Sequence, residues 1–543
     1  MTAPVTSTVL RLVSEQDWIE LQFLFTEQLD RAAANIIEQI RAAGGKSAVL
    51  EHQYLDRDYS EEYAAFYAKL FHRHQRRTRR IHFFRTDLEA VFQKDGLQAV
   101  IAGMQQASED GDYLGFVILR PVEDAPIGRA VLNVVKSPED LTAHVQVRAE
   151  YEAHPLGTSL RLRGMPFTQQ DQRISACAQA SIWMTGRHFS TRHNGPWFST
   201  VAINEAASKP TDMIIASSVP AGSSGLSVNN MLRALRAMDR FPYVFAADVV
   251  DDPNDNDLKL VWPSALSPEA ILSRYVGSGI PVIIELLPWE SGKTDSHAVV
   301  VVGDTFKPLE NLALHASHPT VAELSPYFLV HDDQRGINLR MPVLSSAPDG
   351  ETPYNVRDHL HSIIIPLPDK VFTTAETAEI RSWDRLKYYL TEWPDLQVKY
   401  TSVLGGSLVN AKRVIDASER NQIVSRTYLT YGWKYKNRLI EQEVLPIIAQ
   451  LAAVHELPRM VWVTEFYLLE DLNHKDPSAR RIFGHCVVDA TSTSQGLAPL
   501  VVHMPGFLWF THSEAPDFYP RTDETLYPLT DDITYKPRIR RDG

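Results

Sequence analysis

Only two cysteines, Cys177 and Cys486, occur in 543 residues. A disulfide framework is therefore ruled out, and packing alone must hold the fold. A chain this long can bury several cores without covalent staples. At about 100–200 residues per domain it divides into about three or four. Hydrophobic residues make up 44% and charged residues 22%, ordinary globular values that set disorder aside. Lys+Arg 54 against Asp+Glu 67 leaves a formal charge of −13. That balance argues against a dedicated nucleic-acid binder. The longest apolar runs, at 298–302 and 363–365, fall far short of the ~18–20 residues of a membrane span. The first residues lack the basic start and apolar core of a secretory signal. These features lead to the expectation of a cytoplasmic protein with no membrane partner, and the scarcity of thiol suits a reducing cytosol.

Pattern reading gives an α+β chain in three segments, 1–158, 159–370 and 371–543. In the first, Trp18, Leu21, Phe23, Leu24 and Leu29 predict a helix over 14–41, and a second helix is expected over 60–77. A strand is expected at 113–119, bounded by turn residues. In the middle segment a helix opens at Cys177, and a Gly/Ser-rich loop at 221–225 precedes a helix over 228–238 with Ser227 as its cap. Residues 251–257 read as a solvated acidic turn. Strands are expected at 281–286, 297–302, 327–330 and 362–365. The last segment holds helices around 376–391 and 437–454 and strands around 461–467 and 481–488. Its final thirty residues read as an extended or partly ordered tail.

One set of residues carries chemistry. Cys177 opens a helix of small residues, Ala178, Ala180 and Ser181, followed by Ile182, Trp183 and Met184. A thiol at a helix N-terminus is easier to ionise, because the dipole and unpaired N–H groups favour the anion. Its own N–H is one half of an oxyanion hole, and an upstream glutamine, Gln170 or Gln172, can supply the other donor. His297 stands at the mouth of the apolar run 298–302. A neighbouring strand begins with Gly279-Ile280-Pro281-Val282, and an acidic pair, Asp332 and Asp333, ends the next strand. A nucleophile on a helix, a base on one strand and an orienting acid on the next are what thiol acyl transfer needs.

This pattern resembles the papain-like superfamily, most closely its C39-like branch of bacterial cysteine peptidases. The resemblance covers roughly residues 160–368: a Gln, a Cys opening a helix, Gly-x-Pro-Val-Ile, a His leading an apolar strand to Gly303, and an Asp after the following strand. It implies a helix packed on an antiparallel sheet and a Cys177, His297, Asp332 triad, with Asp332 preferred over Asp333 and Gln170 preferred as oxyanion donor. The sequence departs from the family in three places. Ala178 follows the cysteine where Gly is usual. Asp171 occupies the usual Gln position. Residues 305–324 form an inserted loop between base and acid. The implied activity is hydrolysis of an amide bond in a protein or peptide, with no cofactor and no metal. Deamidation or amide transfer by the same residues, and a non-catalytic scaffold, are the alternatives.

Other signals are weaker. Cys486 sits in a strand pattern with His485 and Asp489 nearby, a weak second centre. His359 and His361 are two apart and would share one face of a strand, where with Asp358 they could ligate a metal; a surface role is the plainer reading. The basic run 73–80 reads as the last turn of a helix, where cations suit the dipole, or as a docking patch for an acidic partner.

Overall fold

Among the described residues three large antiparallel sheets follow one another along the chain, each with helices packed on it, beside a two-stranded ribbon of Asp248–Asp251 and Leu258–Val261; the protein is accordingly α+β. A computed structural model describes residues 7–26, 30–71, 73–171, 177–209, 226–251, 258–287, 296–308, 314, 316–404, 408–441, 446–474, 476–493, 498–514, 521–529 and 534–535. The loop expected at 221–225, Gln172, and all but the first residue of the acidic turn at 251–257 lie outside the described residues.

The first sheet runs in the order Ser7–Arg11, Ser47–Tyr54, Thr78–Phe84, Tyr113–Leu119, Ile127–Leu132, Leu160–Phe167, Ala149–Ala153. Its strand Leu160–Phe167 continues past the boundary suggested at 158–159, so the chain leaves this sheet only just before Gln169 and Gln170. The helix expected over 14–41 is two helices, Glu15–Phe25 and Arg31–Ala42. Ser14 caps the first in a capping box with Asp17, and Asp30 caps the second through the Ala33 N–H at 2.9 Å. The helix expected over 60–77 is also corrected. It spans Arg57–Ala65, a single tight turn follows at Tyr67–Lys69, and the basic run enters the strand Thr78–Phe84. Cross-strand pairing overrides helical spacing there. Arg80 stands opposite Glu51 and pairs with it, and Arg79 donates to the Leu24 carbonyl at 2.8 Å. Only the earlier part of the run, at Arg73, Arg76 and Arg77, stays exposed.

The central sheet has the order Gly336–Pro342, Tyr327–Asp332, His297–Phe306, Val282–Leu286, Leu360–Pro368, Arg240–Ala246. Its middle strands are near-continuous Val and Ile because helices cover the sheet. Cys177–His193 and Pro268–Gly277 both pack on His297–Phe306. That strand is longer than expected and reaches into the predicted inserted loop. Its second half pairs with Thr142–Val145 from the first segment. At this crossing a Cβ on Gly303 would stand 2.1 Å from the His144 carbonyl oxygen, so only glycine allows the approach.

The third sheet is a six-stranded meander in chain order from Ile423–Tyr431 to Arg521–Pro528. The helix Ala375–Lys399 lies against it, and Arg274 of the central segment pairs with Glu379 at 2.7 Å and Glu376 at 3.2 Å on that helix. The helix expected around 437–454 is described as two, Gly432–Glu441 and Pro446–Val454. The tail contributes the strand Arg521–Pro528, and Tyr535 is buried with its backbone paired to Ile482. Among the described residues no helix is long and apolar enough to cross a membrane.

Candidate active site

Cys177 is the first residue of the helix Cys177–His193, and every residue from 178 to 189 is buried. Burial on every side, with polar side chains such as Arg187 paired internally to Asp58, places this helix inside the fold, packed on the histidine strand. Residues four apart share a helix face, and Cys177 and Ser181 use that spacing on a single partner, Ala298. The Ala298 N–H donates to Cys177 Sγ at 3.3 Å, and Ser181 Oγ donates to the Ala298 carbonyl at 3.1 Å. The thiol also lies 4.0 Å from the Ser296 carbonyl oxygen. Two ties to one residue fix the sulfur against the residue before it, His297. A backbone N–H aimed at sulfur stabilises negative charge there.

His297 is largely buried, and its Nε2 lies 3.1 Å from Asp332 Oδ1. The Cys177 thiol is among the neighbouring groups that favour the charged imidazole. Burial disfavours the imidazolium. The hydrogen bonds to Asp332 and Cys177 and the charges of Asp332 and Asp333 outweigh it, so His297 is held well above its ordinary value.

Asp332 ends its strand fully buried and is surrounded by donors. Tyr354 donates to Oδ2 at 2.6 Å, the Gln334 N–H donates to Oδ1 at 2.9 Å, and Arg335 Nε stands 3.7 Å from Oδ2. Burial raises its carboxyl, but the His297, Tyr354 and Gln334 contacts prevail and hold it below the usual aspartate value. The turn that follows is closed by Gly336 at φ +129°, where a Cβ would meet Asn35 Oδ1 at 2.2 Å. The same Asn35 oxygen accepts the Ile337 N–H at 2.8 Å, so a helix of the first segment braces the turn behind the acid.

Asp333 is buried beside this pair with no hydrogen-bond partner on either carboxylate oxygen. Burial first, and then the Asp332 charge, push it up to about 7 against the pull of His297. Donor atoms of His297, Asp332 and Asp333 lie within 4.8 Å of one another, a set of residue types that could also hold a divalent cation.

Of the residues singled out in the sequence, the fold brings Cys177, His297 and Asp332 into one cluster with Asp333. Gln170 is half-buried between two anchored neighbours. Gln169 donates to Asp30 at 2.9 Å, and Asp171, at the position where the family pattern has Gln, accepts the Tyr67 hydroxyl. Ser181 and Tyr354 were not legible as site residues. Ser181 read only as a small packing residue, and Tyr354 comes from a loop with no motif of its own.

The weaker signals resolve into structure. Cys486 is fully buried, its thiol pushed up to about 12 by burial. His485 and Cys486 are consecutive in a strand and face opposite sides. His485 meets Tyr435 and Tyr535, while Cys486 sits in the core under Trp383 and Phe466. Asp489 accepts from Thr491. These residues form no shared centre. His359 ends a short helix, Val356–His359, and only His361 lies in the strand, where it meets Glu285 at 2.9 Å.

No protein-family model matches the chain, and no curated protein matches it. Among solved structures, the peptidase domain of Streptococcus ComA, a bi-functional ABC transporter involved in a quorum-sensing pathway, is a distant structural neighbour. The similarity covers 37% of this chain and 96% of that one, at 14% identity and a TM-score of 0.21.

Proposed function

We propose that this chain is a thiol hydrolase of the cysteine-peptidase type, cleaving an amide bond in a protein or peptide. The observation that carries the reading is the buried His297–Asp332 pair, with the Cys177 sulfur tied to Ala298, the residue next to that histidine, at the start of a buried helix. In the proposed mechanism the Cys177 thiolate, paired with the His297 imidazolium, attacks the substrate carbonyl. Asp332 orients the imidazole through Nε2, so Nδ1 hands its proton to the leaving amine. The Cys177 N–H and Gln170 are assigned to the oxyanion. The neutral His297 then takes one proton from water as the water oxygen attacks the acyl-enzyme; the thiolate leaves, the product acid gives its other proton to solvent and departs as carboxylate, and the thiolate–imidazolium pair is restored.

The test is cleavage of a peptide library followed by mass analysis, with Cys177→Ala as control. New termini that vanish in the variant are expected. A gain of ~1 Da without cleavage would instead mark deamidation, in which water replaces ammonia on the same acyl-enzyme. Neither change, together with equal and slow alkylation of both thiols at neutral pH, would leave a non-catalytic scaffold.

A further inference from the structure

A second site lies where the three sheets meet. A cavity of about 630 Å3 is lined by residues of the first segment around Arg148, by the end of the cysteine helix at Arg192, and by the third segment at Arg426, Trp433 and Lys434. That volume suits a small-molecule ligand, and clefts between domains are common places for one. Its charge runs against the rest of the molecule. Six arginines and lysines line it against three glutamates, in a chain whose net charge is −13.

Two of these arginines keep hydrogen-bonding capacity to spare inside the protein. Arg148 is half-buried with no carboxylate partner among the described residues; burial and then the nearby Arg163 disfavour its charge. Arg426 is 9% exposed, its Nη1 makes no hydrogen bond, and its nearest carboxylate, Glu465, stands 3.9 Å away. Glu465 is already held by the hydroxyls of Tyr428 at 3.0 Å and Tyr467 at 2.6 Å. Guanidinium groups with donors to spare, in a cleft where cations outnumber carboxylates, suit an anion from outside. At the rim, Trp433 is 58% exposed beside Tyr431, a flat surface on which a planar ring can stack.

We propose that this cavity binds a phosphorylated small molecule of nucleotide type, its phosphates held by Arg148 and Arg426 and its ring by Trp433. Guanidinium groups match phosphate geometry, and base stacking on tryptophan is tolerant of base identity. The cavity reaches the cysteine helix near its far end. Arg192 lies about 22 Å along the axis from Cys177 at 1.5 Å per residue, so binding here is independent of the chemistry assigned to Cys177.

Calorimetric titration of the full chain with ATP, tripolyphosphate and adenosine tests the proposal. ATP is expected to bind, tripolyphosphate more weakly, and adenosine not measurably. Arg148→Gln should raise the ATP dissociation constant at least tenfold. Trp433→Ala, at an exposed position, should weaken ATP while leaving tripolyphosphate unchanged. Arg426→Gln adds a second arginine test, read only if its melting midpoint without ligand matches the parent. No binding of ATP or tripolyphosphate at millimolar concentration, or equal ATP affinity in Arg148→Gln, would overturn the site. Tripolyphosphate binding as tightly as ATP would overturn the nucleotide assignment.

Discussion

Replacing Asp332 by Asn removes one charge and nearly no volume. The carboxylate accepts from His297 and the Gln334 N–H on Oδ1 and from Tyr354 on Oδ2. An asparagine can keep its oxygen toward His297 and Gln334 and donate its amide to the tyrosine oxygen, because a hydroxyl also accepts. The fold should therefore survive while the electrostatics change. At the observed 3.1 Å and an effective dielectric constant of about 20, the Asp332–His297 attraction is about 5 kcal/mol, all of it favouring the charged imidazole. Asp333 and Cys177 retain part of that support, so the expected loss in thiol reactivity and turnover is on the order of 10²–10⁴. The assay is iodoacetamide labelling at pH 7 read by peptide mass analysis, with Cys486 as the buried internal control. Stability carries a second signature. His297 is raised in the fold, so its contribution is full below about pH 6.5 and fades as pH rises through the folded value. Asp332 is lowered, so its contribution is present above about pH 4 and fades as pH falls through its folded value. The pair thus stabilises most between about pH 4 and 6.5, and Asp332→Asn should flatten that window. Wild-type labelling of Cys177 and an unchanged pH profile of melting in the variant would refute the ion-pair reasoning, and the proposed catalysis with it.

Three further outcomes are expected. Ser181→Ala loses one hydrogen bond, about 0.5–1.5 kcal/mol of stability, but should lower kcat/KM several-fold by loosening the cysteine helix from Ala298; unchanged kinetics would count against that role. Tyr354→Phe removes a donor from a buried carboxylate and should cost about 1.5–3 kcal/mol in urea unfolding. A variant as stable as the parent would show that Arg335 or water takes the place of the hydroxyl. Asp333→Asn removes a buried acid raised to about 7, whose ionisation costs stability as pH rises from the ordinary aspartate range through that value; the variant's gain in melting midpoint should be larger at pH 8 than at pH 5. An equal gain at both pH values would mean that Asp333 stays in one protonation state.

Local chemistry alone determined a good deal of this protein. The α+β class, the helix that opens at Cys177, the cap at Ser227 and the strands around Val282, His297 and Tyr327 all follow from nearest-neighbour signals. Hydrophobic period, capping side chains and turn residues act within a few positions and are visible one segment at a time. The order of cysteine, histidine and aspartate was equally legible. What was not legible depended on partners far away in the chain. The run at 73–80 carries helical charges, yet Arg80 becomes strand because Glu51 stands opposite it. Between Leu88 and Asp110 the chain is helical on both sides of a kink at Gly96, whose φ of +77° breaks the helix and so its apolar spacing. Tyr354 reaches Asp332 from a loop, and Asn35 braces the acid turn from a helix of the first segment. The arginine-lined cavity exists only where three sheets meet. Residue types and local periodicity determined which elements form and which side chains can react. Only the tertiary structure decided which of those side chains share a low-dielectric neighbourhood, because burial and opposite charge at a few ångströms belong to no single stretch of chain.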